Sequence, residues 1–194
     1  MIGAFFDMLK MRSFINKISR FTGSNPNNPT IADTLLYTIF LFSHRIKKQS
    51  VLFKNKYVCA DAAIISMAYA LYRTASFPDS DKITEELMYK CTLAIRDFYK
   101  VPASDLSQIL DNHLDYFSDL IFELEDMNDY SLIAKEAALL FTYDLTYNKY
   151  VEFKNDTPVL IIGLDKQFII ERETNSYFNV IIPMINEIIC KKGL

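Results

Sequence analysis

The sequence predicts an all-α protein, a single compact bundle of about seven or eight helices around a central apolar helix at about residues 56–74. Two observations support this prediction. Only four glycines and six prolines occur in 194 residues, too few for a turn-rich sandwich or barrel. Between Val58 and Tyr72 the only polar residues are Asp61 and Ser66. A helix that is apolar on every side is normally buried on every side, so its neighbours should surround it.

The remaining helices follow from apolar periodicity and from capping and helix-breaking residues. The predicted helices are at about 3–21, 31–49, 56–74, 81–100, 105–128, 130–154, 158–173 and 176–191. Asn55 is the expected N-cap of the central helix, and the alternative is a shorter helix capped by Asp61. Pro183 should kink or restart the last helix. β-branched residues leave a small β-hairpin near 159–172 as the alternative to helix there.

The N-terminal segment is the part of the chain that could be detachable. The proline- and asparagine-rich stretch 23–30 resembles a linker, and it separates residues 1–22 from a single helical domain at 31–194. Residues 3–21 predict an amphipathic helix whose apolar stripe contains Ala4, Met8, Met11, Ile15 and Ile18, widened by Phe14 and Phe21. Its basic residues lie off that stripe and are Lys10, Arg12, Lys17 and Arg20.

Charge is unevenly distributed along the chain. Residues 1–57 carry nine lysines and arginines against two aspartates, a net charge of +7, whereas residues 58–194 have a net charge of −10. On the predicted helix 105–128, acidic residues recur every fourth position, and these are Asp111, Asp115, Asp119 and Glu123. Such asymmetry can mark an anionic partner for one end and a cationic partner for the other. The alternative is that the two ends face each other within the fold.

The charged surfaces favour a helical protein-interaction or regulatory module that binds another protein. A basic amphipathic helix at 3–21 can dock in a partner's groove or lie on an anionic membrane surface without crossing it. The alternative is an ordinary first helix that packs its stripe on the core. The acidic net charge of −3 and the missing helix-turn-helix pattern argue against nucleic acid as the partner. Oligomeric state does not follow from the sequence.

Asp61 motivates a second hypothesis, a small-molecule or metal-binding bundle with or without enzymatic activity. A carboxylate among apolar helical neighbours must be paired, metal-bound or protonated. Helical bundles build sites from inward-facing carboxylates and histidines. The residues that could converge with Asp61 are Ser66, Tyr69, His44 and His113. The alternative is a structural aspartate with satisfied hydrogen bonds.

Recognisable catalytic motifs are missing from the sequence, including the Walker loop, GxGxxG, GxSxG and HExxH. We therefore favour a protein without enzymatic activity and expect no cofactor. Two histidines and three scattered cysteines argue against a metal site and indicate reduced thiols in a soluble, cytoplasmic protein. The apolar runs 35–42 and 58–72 are shorter than the ~20 residues that a membrane span needs. Frequent lysine, asparagine, isoleucine and tyrosine suggest an AT-rich bacterial genome.

Overall fold

The structure is a computed structural model that describes residues 2–47, 50, 52–102, 151–154, 157–160 and 167–192. The elements, in chain order, are α1 (Ile2–Thr22), α2 (Ile31–Ile46), a 3₁₀-helix (Leu52–Lys54), α3 (Lys56–Thr74), α4 (Ser80–Ala94), a π-helix (Ile95–Tyr99), β1 (Val151–Lys154), β2 (Thr157–Leu160) and α5 (Gln167–Lys192). The helical class is confirmed, because helices make up most of the described ranges. Those ranges contain five α-helices, and the predicted number of seven or eight is not confirmed.

The helix α3 is central, as the sequence predicts. Every residue from Val58 to Ala70 is buried, and α3 packs against α2, α4, α5, the 3₁₀-helix and the π-helix. Large aromatic side chains fill the core here, and the largest are Tyr69 of α3 itself and Tyr177, Phe40, Phe53 and Phe178 of the surrounding elements. Burying an aromatic or branched aliphatic side chain contributes about 1.5–3 kcal/mol, so this layer supplies much of the stability.

The start of α3 is fixed by Asn55. Its side-chain oxygen accepts a hydrogen bond of 2.9 Å from the backbone N–H of Tyr57, which satisfies one of the free donors of the first turn. The predicted cap is therefore confirmed. The alternative start at Asp61 is wrong, because Asp61 lies inside α3 and is completely buried.

The predicted single helix at 81–100 is divided in the structure. An α-helix ends at Ala94, and a π-helical turn continues to Tyr99, whose ring stacks on Phe40 with centroids 5.2 Å apart. Lys100 then ends the helix in the left-handed conformation at φ 61°. Ile95 and Tyr99, the first and last residues of the π-turn, are both buried in the core.

The predictions for the C-terminal part of the chain need correction. Residues 151–154 and 157–160 form an antiparallel pair of strands, with Val151 opposite Leu160, so the predicted helices do not cover them. The alternative hairpin near 159–172 is also wrong, because residues 167–172 are helical. Thr157-Pro158 resembles a helix cap, but its β-branched neighbours favour a strand. The predicted helix 105–128, residues 130–150 of the next one and residues 161–166 of the predicted helix 158–173 lie outside the described ranges.

The last two predicted helices are one continuous helix, α5, which passes through Pro183 without a restart. Proline removes one backbone donor, and the carbonyl left without that donor belongs to Asn179. Both Pro183 and Asn179 are exposed, so water can satisfy the carbonyl. The N-terminal part of α5 also anchors the 3₁₀-helix, since buried Glu173 accepts hydrogen bonds from Ser50 Oγ and, at 3.0 Å, from the backbone N–H of Leu52.

The N-terminal helix α1 packs on the core through its second half. Phe14 and Ile18 are buried, and α1 contacts α2, α4 and the π-helix. Met11, which belongs to the predicted apolar stripe, is 38% exposed, so the buried face is turned away from that residue. That residues 1–22 can detach from the rest of the chain stays a prediction.

Candidate functional site

A groove with a basic lining runs along the exposed side of α1. It is open to solvent, has a volume of about 650 Å³, and is lined by Arg12, Ser13, Asn16, Lys17, Arg20 and Phe21. These positions recur at intervals of four, which places them in two adjacent rows on one side of the helix. The opposite side carries Phe14 and Ile18 into the core, and this packing keeps the basic rows facing outwards.

The three cations of the groove are not neutralised within the described part of the chain. Arg12, Lys17 and Arg20 are exposed and form no ion pair with any described residue. Lys17 Nζ lies 5.1 Å from the ring centroid of Phe98, a cation–π contact that leaves the ammonium group able to bind an anion. Lys10 is also exposed on α1, but it does not line the groove.

Two more lysines extend the positive charge beyond α1. Lys100, at the end of the π-helix, places its Nζ 5.8 Å from the ring centroid of Phe21. Lys56, the first residue of α3, donates a hydrogen bond of 2.8 Å from Nζ to the backbone carbonyl of Lys100. We define the cationic surface as Arg12, Lys17, Arg20, Lys56 and Lys100. Sequence reasoning missed its last two members, because only the fold brings Lys100 to Phe21 and Lys56 to Lys100.

A second charged cluster is structural. Lys90 Nζ lies 2.6 Å from Asp33 Oδ1 and 2.5 Å from Glu86 Oε1, and this pairing joins the start of α2 to α4. Asp33 also closes a capping box with Thr30, in which each backbone N–H donates to the other side chain. Burial opposes ionisation of Asp33, but the hydrogen bonds from Lys90, Ser24 and the backbone of Thr30 outweigh it and lower its pKa.

The buried candidates on α3 face different partners. Asp61 is completely buried, and it interacts with other groups of the protein. Ser66 Oγ donates to the carbonyl of Ala62 and lies 3.3 Å from Tyr177 OH on α5. Tyr69 OH donates a hydrogen bond of 2.6 Å to Asn186 Oδ1, also on α5. Ser66 and Tyr69 therefore contribute to the contact between α3 and α5.

Of the two histidine candidates, the structure describes only His44. His44 is half-buried at the contact between α2 and α1, where its ring stacks on Phe14 with centroids 4.6 Å apart. His113 lies outside the described residues, as do the acidic positions Asp111, Asp115, Asp119 and Glu123. The ligand site around Asp61 and the acidic docking surface therefore stay predictions.

Burial suppresses ionisation of a hydroxyl and two thiols at the centre of the bundle. Tyr177 OH lies 3.0 Å from Ser43 Oγ, and burial raises the pKa of the Tyr177 hydroxyl. Burial likewise raises the pKa of Cys59 and of Cys91 to about 12, which keeps both thiols protonated at neutral pH. Across the described ranges, histidine, cysteine, aspartate and glutamate do not assemble into a group that could hold a metal ion.

No family model matches the chain, and searches of curated proteins and of solved structures found no similar protein. Among the helices described, none combines the length and apolar character that crossing a membrane requires. The fold and the site thus define a mainly helical protein with a fully packed central helix and an exposed cationic surface.

Proposed function

We propose that the protein is a helical interaction module, which docks an acidic segment of a partner protein on its cationic surface. The observation that supports this proposal most directly is the groove on α1, where Arg12, Lys17 and Arg20 are exposed and lack ion-pair partners among the described residues. Like charges held close together repel, and an anionic partner removes that repulsion. Complementary charge also speeds association and fixes orientation.

The neutral side chains of the groove favour a peptide over a membrane as the ligand. Ser13 and Asn16 lie between the cations and supply hydrogen bonds that a peptide backbone can use. An interfacial helix must insert its apolar face among the lipids. Phe14 and Ile18 are buried against the rest of the protein, so membrane binding through them would require α1 to leave the core.

The acidic composition of the chain argues against nucleic acid as the partner. The sequence pI is about 5.4, whereas nucleic-acid-binding domains usually have a pI above 9 and an extended basic stripe. Three free cysteines, two of them buried, support a reducing compartment such as the cytoplasm as the site of action.

Fluorescence anisotropy with a labelled glutamate-rich peptide tests the proposal. The wild-type chain should bind the peptide at low salt, and the affinity should fall as the Debye length shrinks from about 30 Å to about 8 Å. The double variant Arg12→Ala/Arg20→Ala should bind about tenfold more weakly, since each exposed ion pair contributes up to ~1 kcal/mol.

The matched control is Lys82→Ala, which removes an exposed lysine of α4 that does not line the groove. This variant should bind the peptide as the wild type does. Failure of the wild-type chain to bind, or equal weakening by Lys82→Ala, would contradict the proposal. Tighter binding to phosphatidylserine vesicles than to the peptide would also contradict it, because the surface would then serve a membrane.

A further inference from the structure

We infer that Lys56 and Lys100 are anchor points for the same acidic peptide, which therefore crosses from α1 to the ends of the π-helix and α3. This inference rests on the proposed function and names the part of the surface that the sequence did not reveal. It is carried by the local strain at Lys100, by the contact of Lys100 Nζ with Phe21 at the edge of α1, and by the hydrogen bond that joins Lys56 to Lys100.

Lys100 occupies a position that favours glycine. Its backbone has φ 61° and ψ 42°, the left-handed conformation that commonly ends a helix and that L-residues with a Cβ adopt at a cost. Glycine would end the π-helix without that cost. Lysine instead places an ammonium group over the Phe21 ring, beside the basic rows of α1. Strained residues of this kind are often found at functional sites.

Lys56 is unfavourable for a different reason. It is the first residue of α3, where the helix dipole presents partial positive charge, and no acidic residue occupies the first turn. An aspartate or glutamate would stabilise this position. The ammonium group is held at the surface by its hydrogen bond to the carbonyl of Lys100, which also satisfies an acceptor at the end of the π-helix.

Lys100 thus keeps a side chain where the backbone favours glycine, and Lys56 places positive charge at a helix N-terminus. Conflicts between local preference and global structure are concentrated at functional sites. The resulting surface is long. Arg12 and Arg20 are eight residues apart on one helix, about 12 Å along its axis. A single phosphate cannot contact both of them together with Lys56 or Lys100. A peptide segment with several carboxylates can, so the structure favours this class of partner.

The test compares four variants by anisotropy with the same glutamate-rich peptide and by thermal unfolding. Lys100→Gly should raise Tm by about 2–4 °C, because it relieves the left-handed strain, and should weaken peptide binding about threefold. Lys100→Arg keeps the charge and should preserve both the affinity and Tm. Lys56→Gln should weaken binding about threefold, and Lys82→Ala is again the control and should change neither quantity.

The outcomes separate this inference from the proposed function. If Arg12→Ala/Arg20→Ala weakens binding but Lys100→Gly and Lys56→Gln bind as the wild type does, the surface ends at α1 and only this inference fails. If no variant changes the affinity, or if the wild type does not bind, the proposed function fails as well. Displacement of the peptide by inorganic phosphate at matched ionic strength would indicate a site for one small anion and would overturn the inference.

Discussion

Lys56 Nζ donates a 2.8 Å hydrogen bond to the backbone carbonyl of Lys100, a residue 44 positions further along the chain. This bond joins the first residue of α3 to the end of the π-helix, where Lys100 Nζ lies 5.8 Å from the ring centroid of Phe21 on α1. The cationic surface is thus assembled from three elements that are far apart in sequence. Its geometry depends on the packing of α1, since Phe14 and Ile18 hold that helix against the core.

The ion pair between Lys90 and Asp33 should be important for stability. Side-chain exposure is 12% for Lys90 and 2% for Asp33. Replacing the lysine by methionine therefore leaves the buried Asp33 carboxylate without its ion-pair partner. We expect Lys90→Met to lower the free energy of unfolding by about 2 kcal/mol. Urea denaturation followed by circular dichroism measures this change.

Lys191→Met is the matched control for that variant. Lys191 pairs with Glu187 one helical turn away, as Lys90 pairs with Glu86, but both side chains are largely exposed. Removing the exposed pair should lower the free energy of unfolding by less than about 0.5 kcal/mol. Equal losses in the two variants would show that burial does not strengthen the interaction of Lys90 with Asp33.

The same pair predicts how stability depends on pH. The folded state lowers the pKa of Asp33 below its ordinary value of 3.8, so the stabilisation is fully present above that value and is lost as the pH falls through the lower pKa. The variant Asp33→Asn should lack this contribution to acid sensitivity. Chemical denaturation of both proteins below about pH 4 tests the prediction, and identical pH profiles would refute it.

Tyr177 should stabilise the contact of α5 with α2 and α3 through its hydroxyl group. That hydroxyl is completely buried and lies within hydrogen-bonding distance of both Ser43 Oγ and Ser66 Oγ. Tyr177→Phe should lower the free energy of unfolding by about 1 kcal/mol. Tyr89→Phe, at a side chain that is 64% exposed, should leave stability unchanged. An unchanged free energy of unfolding in Tyr177→Phe would mean that the hydroxyl makes no net contribution to stability.

The three cysteines should differ in reactivity. Cys190 is exposed, whereas burial raises the pKa of Cys59 and of Cys91 to about 12, so thiolate is scarce at both buried positions. A thiol reagent should modify the native protein at Cys190 alone and should modify the denatured protein at all three cysteines. Cys190→Ser should abolish the labelling of the native protein. Rapid labelling of Cys59 in that variant would contradict the burial.

The central helix could be predicted from sequence because its determinants are local. Asn55 provides the cap, and the apolar run after it leaves no side for solvent. The π-turn could not be predicted in this way, since it depends on Tyr99 stacking against Phe40 of another helix. The strand pair was missed because Thr157-Pro158 fits a helix start and a strand about equally well, and the pairing partner decides between them.

The candidate site was predictable to a similar extent. Arg12, Lys17 and Arg20 could be identified because helical periodicity separates them from the apolar stripe. Lys56 and Lys100 were missed because tertiary contacts join Lys56 to Lys100 and Lys100 to Phe21 of α1. The buried partners of Ser66 and Tyr69 lie on α5, more than a hundred residues away, and no local pattern indicates them.

The central claim is that the cationic surface binds an acidic peptide, and charge reversal tests it most directly. Anisotropy of a labelled glutamate-rich peptide should be compared for the wild type, for Arg12→Glu/Arg20→Glu and for Lys82→Glu at low salt. The claim predicts that the double reversal abolishes binding while Lys82→Glu, which changes charge on α4, keeps most of it. Equal affinity of the wild type and the double reversal, with both chains folded, would contradict the claim.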